Sequence, residues 1–118
     1  MGEGPRLYFR TREVGVGGGV AYDDVVFGPV KVGRHYLITR HAAIDETSAP
    51  STSIRGLVQG HGYDHLIWQK STPAANTLYH DPDPIELFEG ESLVARFTGA
   101  TSADKLVLYL EGSWTESE

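Results

Sequence analysis

The chain has 118 residues, a formal net charge of −6 and no cysteine, with 40% hydrophobic and 22% charged residues. That length suits one domain with one core. An acidic balance without any Lys/Arg cluster argues against nucleic acid as a partner, the missing cysteines exclude disulfides and thiolate chemistry, and no apolar run nears the roughly 18 residues of a membrane-spanning helix.

The start, MGEGPRLYFR, lacks the apolar stretch of a signal peptide, and Arg6 breaks the myristoylation pattern, so neither export nor lipid anchoring is expected. Residues 1–19 read as an extended arm. One aromatic pair, Tyr8 and Phe9, lies between glycine-rich flanks, and Gly17-Gly18-Gly19 reads as a flexible hinge. Arg6, Leu7, Tyr8, Phe9 and Arg10 are then the residues such an arm offers to a docking partner.

Residues 20–118 read as an all-β domain, because fourteen glycines and six prolines punctuate short apolar runs and long amphipathic helical patterns are missing. VAYDDVVF suits a strand ending at Gly28-Pro29, and VKVGRHYLITRHAAID a longer one. ETSAPSTS is a polar loop. IRGLVQG and HLIWQK form a hairpin through Gly60–Asp64, and STPAANTLYHDPDP is an irregular connection. Period-2 alternation then recurs in PIELFEG, ESLVARFTG and DKLVLYLEG, which predicts a three-stranded meander with one buried face.

Several short patterns invite chemical readings. Gly90-Glu91-Ser92-Leu93-Val94 is one residue from G-x-S-x-G, but Val94 replaces the second glycine and a strand follows, so Ser92 reads as the corner of a hairpin through Glu89-Gly90. His61 and His65, with Asp64 between them, have the spacing of a metal-ligand pair that His35, His41 or His80 could complete, yet they fall in a hairpin loop. The H-x-H plus Glu of cupin metal sites is absent. Asp23-Asp24 and Asp81/Asp83 form no calcium loop and read as solvated turns, and GVGGGV lacks the preceding strand of a phosphate loop. No catalytic residue, metal or cofactor is expected.

Trp68, Tyr63 and His61 at a loop end offer an aromatic platform for a sugar. On the last predicted strand, Val107 and Tyr109 lie opposite Leu106, Leu108 and Leu110, so both faces are apolar. Either a second sheet or a neighbouring subunit must cover Val107 and Tyr109.

The run PIELFEGESLVARFTGATSADKLVLYLEGSW, residues 84–114, is an apolar strand, a glycine turn, a second strand, a small polar loop and a closing strand ending at Gly-x-Trp. It resembles the C-terminal part of small β-sandwich virion proteins of tailed bacteriophages, most of all the capsid decoration, or cement, proteins. The resemblance implies a jelly-roll-like antiparallel β-sandwich and a non-enzymatic, commonly trimeric protein on the outside of a head, assembled in the host cytoplasm. The major capsid protein would be its partner, the 1–19 arm its docking segment, and Val107 and Tyr109 a subunit contact. The alternative is a carbohydrate-binding module or a tail or fibre domain of the same architecture.

Overall fold

The structure is a computed structural model and describes residues 5–81 and 83–116. Among the described residues nine strands account for the regular structure: β1 (Leu7–Val16), β2 (Tyr22–Phe27), β3 (Arg34–Asp45), β4 (Ser53–Gly60), β5 (Tyr63–Ser71), β6 (Tyr79–Asp81), β7 (Ile85–Leu87), β8 (Ser92–Thr98) and β9 (Lys105–Glu116). Among the described residues no helix is long and apolar enough to cross a membrane.

The strands form two antiparallel sheets packed as a sandwich. One has the order β1-β9-β3-β6 with β7 also on β3, the other β2-β8-β4-β5. Their inner faces meet in a core of Leu106, Leu108 and Leu110 from β9, Leu93, Ala95 and Phe97 from β8, and Ile38, Ala43, Ile54 and Leu87. One end is closed by aromatic rings, with Phe9 stacked on Phe27 and both edge-on to Tyr36.

The last three strands alternate as expected but do not form a meander. β7 and β9 lie on either side of β3 in one sheet, whereas β8 is central in the other. Alternation fixes which side chains of a strand are buried and leaves open which sheet receives them. The crossing is made at Phe88–Glu91, where the Gly90 N–H donates to Val30 O at 2.8 Å and the Val30 N–H to Glu91 O at 2.9 Å.

The glycine hinge is also an anchored turn. Gly17 is buried, its N–H donates to Asp104 O at 2.8 Å, and its carbonyl accepts from the Ala103 N–H at 2.8 Å. A Cβ there would lie 2.2 Å from Thr101 O, so only glycine fits. Over Leu7–Val16 the expected arm is an edge strand of the sandwich, paired with β9 along its whole length. Ten consecutive backbone pairings outweigh the flexibility that its glycine-rich flanks suggest.

Two β-bulges set the phase of the strands that carry the site. Ile38 and Arg40 would face the same way in an unbroken strand; the register shift at Thr39 keeps Ile38 in the core, turns Arg40 outward and brings His41 inside. Opposite this bulge is Gly112, where a Cβ would lie 2.0 Å from Leu37 O. The second bulge is on β5, where Ile67 is the extra residue between Leu66 and Trp68 opposite Leu57 and Gly56 of β4, and it turns the Trp68 indole inward over Gly56.

Candidate binding surface on the outer face of the first sheet

The outer face of β1, β9 and β3 is built in cross-strand rows that follow from the pairing register. Val14 stands opposite Val107, which stands opposite Ile44. The next row is Arg12, Tyr109, Ala42 and His80, and the one after it Arg10, Glu111 and Arg40. Directly opposed side chains on one sheet face are close enough to interact.

Residues expected in two separate roles therefore share one surface. Tyr8 and Arg10, from the expected arm, point outward and are exposed on the face that carries Tyr109, Arg10 one row away from it and Tyr8 two, while Phe9 points into the aromatic end of the core and Leu7 follows its inward phase. Arg6 lies before β1, its Nε donating to Ser113 Oγ at 3.0 Å. Tyr8, Val14 and Val16 are each more than half exposed on the unpaired edge strand. An exposed strand edge with protruding apolar side chains is a template for association.

Val107 is not part of that exposed surface. Its relative exposure is 0% in the single chain. Glu46 bridges the two side chains that flank it, accepting from the Tyr109 hydroxyl at 3.2 Å and pairing with Lys105 Nζ at 3.2 Å. The Lys105 hydrogen bond is the main reason that the Glu46 carboxyl is held below its usual pKa. A covering subunit is thus not needed at Val107, because its own chain covers it; sequence alternation could not reveal the Glu46 strap.

Between the rows runs a groove of about 790 Å³, lined by Arg10, Arg40, Ala42, Leu78, His80, Tyr109 and Glu111 among others. The small side chain of Ala42 leaves a low floor beside the longer groups around it. One Glu111 oxygen faces Arg10 Nε and the other faces Arg40 Nε, each at 3.5 Å, while the two arginine side chains remain 72% and 79% exposed. Arg96 shows a saturated pair in the same protein: it grips Asp24 with two bonds of 2.8 and 2.9 Å and is only 17% exposed. No feature of the sequence flags this groove, since Arg40 enters it only through the bulge.

The other sequence candidates are used structurally or lie apart. Ser92 is buried at the start of β8, where a Cβ on Gly28 would lie 2.9 Å from its Oγ; it marks a crossing between sheets and no hairpin. His61 and His65 lie at the exposed β4–β5 tip, His41 is buried against Trp68, His35 stacks on Phe88, and His80 lines the groove. Among the described residues no group of three or more His, Asp or Glu could hold a metal ion. Asp23 and Asp24 lie within β2, where Asp23 accepts from the Gly18 N–H and Asp24 binds Arg96. Asp83 lies in a bend, and the Asp81 side chain is outside the described residues.

Trp68 is no exposed sugar platform. Its indole N–H donates to His41 Nε2 at 2.7 Å across the sandwich, and the ring lies over Gly56. Tyr63 is exposed at the hairpin and tilts against His65.

One buried titratable pair escaped sequence analysis. Asp45 and Asp104 are almost wholly buried. Asp45 Oδ1 accepts from the Thr47 and Ser48 N–H groups, and Asp104 Oδ2 accepts from the Ser48 hydroxyl at 2.5 Å. Burial, then a hydrogen bond to Asp104, pushes Asp45 up to about 6. For Asp104 burial acts upward too, but hydrogen bonds from Asp45, Ser48 and Thr101 outweigh it and hold the carboxyl low. The pair clamps the corner after β3 to the turn before β9.

No family model and no curated protein matches the sequence. Among solved structures, the chain is similar to an exo-β-1,3-galactanase from Phanerochaete chrysosporium determined with galactose, at 14% identity and a TM-score of 0.39, over 91% of this chain and 29% of that one. The chain thus spans under a third of that structure, and a likeness at this level carries no argument about activity.

Proposed function

We propose that the chain is a non-enzymatic structural protein of a tailed-phage virion, a capsid decoration protein that attaches to the outside of the head through the outer face and free edge of β1. The observation that supports this reading is the exposed outward row of β1, in which Tyr8 at one end and Val14 and Val16 at the other flank Arg10 and Arg12, with Arg10 also in the row of Glu111 and Arg40. Apolar side chains on an unpaired edge gain most by docking on another protein, and the arginines set the register. Copies associate as trimers, which multiplies weak single contacts on a repeating lattice.

The carbohydrate-binding alternative has less to rest on, because Trp68 holds its N–H and ring inside the sandwich. The virion reading is tested by solution mass and by cosedimentation with assembled heads. A mass near three times 12.9 kDa is expected. Cosedimentation should be lost when Tyr8, Val14 and Val16 are all replaced by serine. A monomer that ignores heads, or a triple variant that attaches like the parent, would refute it.

A further inference from the structure

We propose that the groove between Arg10 and Arg40 is a carboxylate-binding site, and that its occupant is an acidic stretch of a partner polypeptide. The proposal deepens the docking role assigned to this face and rests on that reading. Its basis is a mismatch between donors and acceptors. Two guanidinium groups carry ten N–H donors between them, whereas the nearest approach of the Glu111 carboxylate to each is 3.5 Å, at Nε. Where the same fold saturates an arginine, at Arg96, the contact is bidentate and the side chain is largely buried.

Charge complementarity selects the occupant. The chain carries −6 overall, yet the groove row of Arg10, Glu111 and Arg40 sums to +1, and Arg12 stands in the next row. An incoming carboxylate meets two planar forks on side chains that are 72% and 79% exposed. The rest of the lining favours polypeptide over an acidic sugar. Leu78 and Ala42 supply aliphatic surface, and the aromatic member, Tyr109, is half-buried with its hydroxyl held by Glu46, so no bare ring face is offered for stacking. Glu111 then acts as a resident competitor that keeps the two arginines apart and aligned until a partner's carboxylate joins them.

The test is fluorescence anisotropy of a labelled hexaglutamate peptide at low salt, with hexaglutamine as the neutral control. The parent should bind hexaglutamate and not hexaglutamine. The double variant Arg10→Gln/Arg40→Gln should bind at least about tenfold more weakly. Arg55→Gln removes an exposed charge from β4, on the other sheet, and should bind like the parent. Glu111→Gln should bind several-fold more tightly, since the competitor is gone. Circular dichroism of each variant confirms its fold.

Absence of hexaglutamate binding by the parent overturns the site, as does a double variant that binds like the parent, an equal loss in Arg55→Gln, or weakened binding in Glu111→Gln. Peptide binding by a chain that never attaches to heads would support the groove and count against the virion role. Head attachment that survives the double variant would overturn the use of this groove by the head.

Discussion

Trp68 and His41 belong to different sheets, and each faces inward because a β-bulge shifts the phase of its strand region. Their N–H···N bond of 2.7 Å therefore joins the two irregularities across the core. The same shift that turns His41 inward turns Arg40 outward into the groove, so the internal bond and the exposed site depend on one residue insertion at Thr39.

Trp68→Phe should lower stability by about 1–3 kcal/mol, because the buried His41 nitrogen loses its donor while most of the ring volume stays. Gly56→Ala should cost a similar amount by another route, since its Cβ would lie 2.1 Å from the indole nitrogen. Urea denaturation checks both, and tryptophan emission should shift in Gly56→Ala as the ring is displaced. A Trp68→Phe variant as stable as the parent would show that the bond carries no net stabilisation.

Val107→Ala should destabilise the monomer fold by about 2 kcal/mol, as for other truncations of fully buried aliphatic side chains. The solution mass should not change. A shift in mass without a change in unfolding midpoint would instead mark Val107 as a subunit contact.

Asp45 makes stability depend on pH in a definite direction. Its carboxyl titrates near 6 in the folded chain against an ordinary value of 3.8. The folded state thus holds the proton more tightly, so the contribution is fully present below about pH 4 and is lost as pH rises through 6. Two units of difference correspond to about 3 kcal/mol at most. Asp45→Asn keeps an acceptor for Thr47 and Ser48 and adds a donor toward Asp104. It should flatten the pH dependence between 4 and 6 and exceed the parent in stability at pH 7. Equal pH profiles for both proteins would contradict this.

Deleting residues 1–16 should abolish cooperative unfolding, because it strips β1 from β9 and removes Phe9 from the ring cluster with Phe27 and Tyr36. Amide exchange of β9 in the shortened protein reads the effect directly. Protection equal to that of the full chain would mean that the segment is dispensable to the fold.

Much of this architecture was legible in the residues. Alternation in LVARF and KLVLYL identifies the inward leucines and Phe97, and the β-branched and aromatic runs give most strands. What could not be read is everything that depends on phase slips and distant pairing. Thr39 looks like any strand residue, yet the bulge there decides that Arg40 lines a groove and His41 meets Trp68. The pairing of Leu7–Val16 with a strand about a hundred residues later leaves no local trace, and the glycine-rich flanks point the other way. Likewise Asp45 and Asp104 carry no shared motif; only the fold makes them neighbours.

The central place of β9 has a consequence for how the protein is made. β1 and β3 have no backbone pairing with each other and join one sheet only through β9, so the first sheet lacks its spine until Lys105–Glu116 has left the ribosome. A nascent chain can join β2, β8, β4 and β5 earlier, but it then presents the inner face of that sheet uncovered. Folding is thereby deferred until β9 has been made, and stalled fragments ending before residue 105 are expected to be substrates for chaperones and proteases rather than half-built domains.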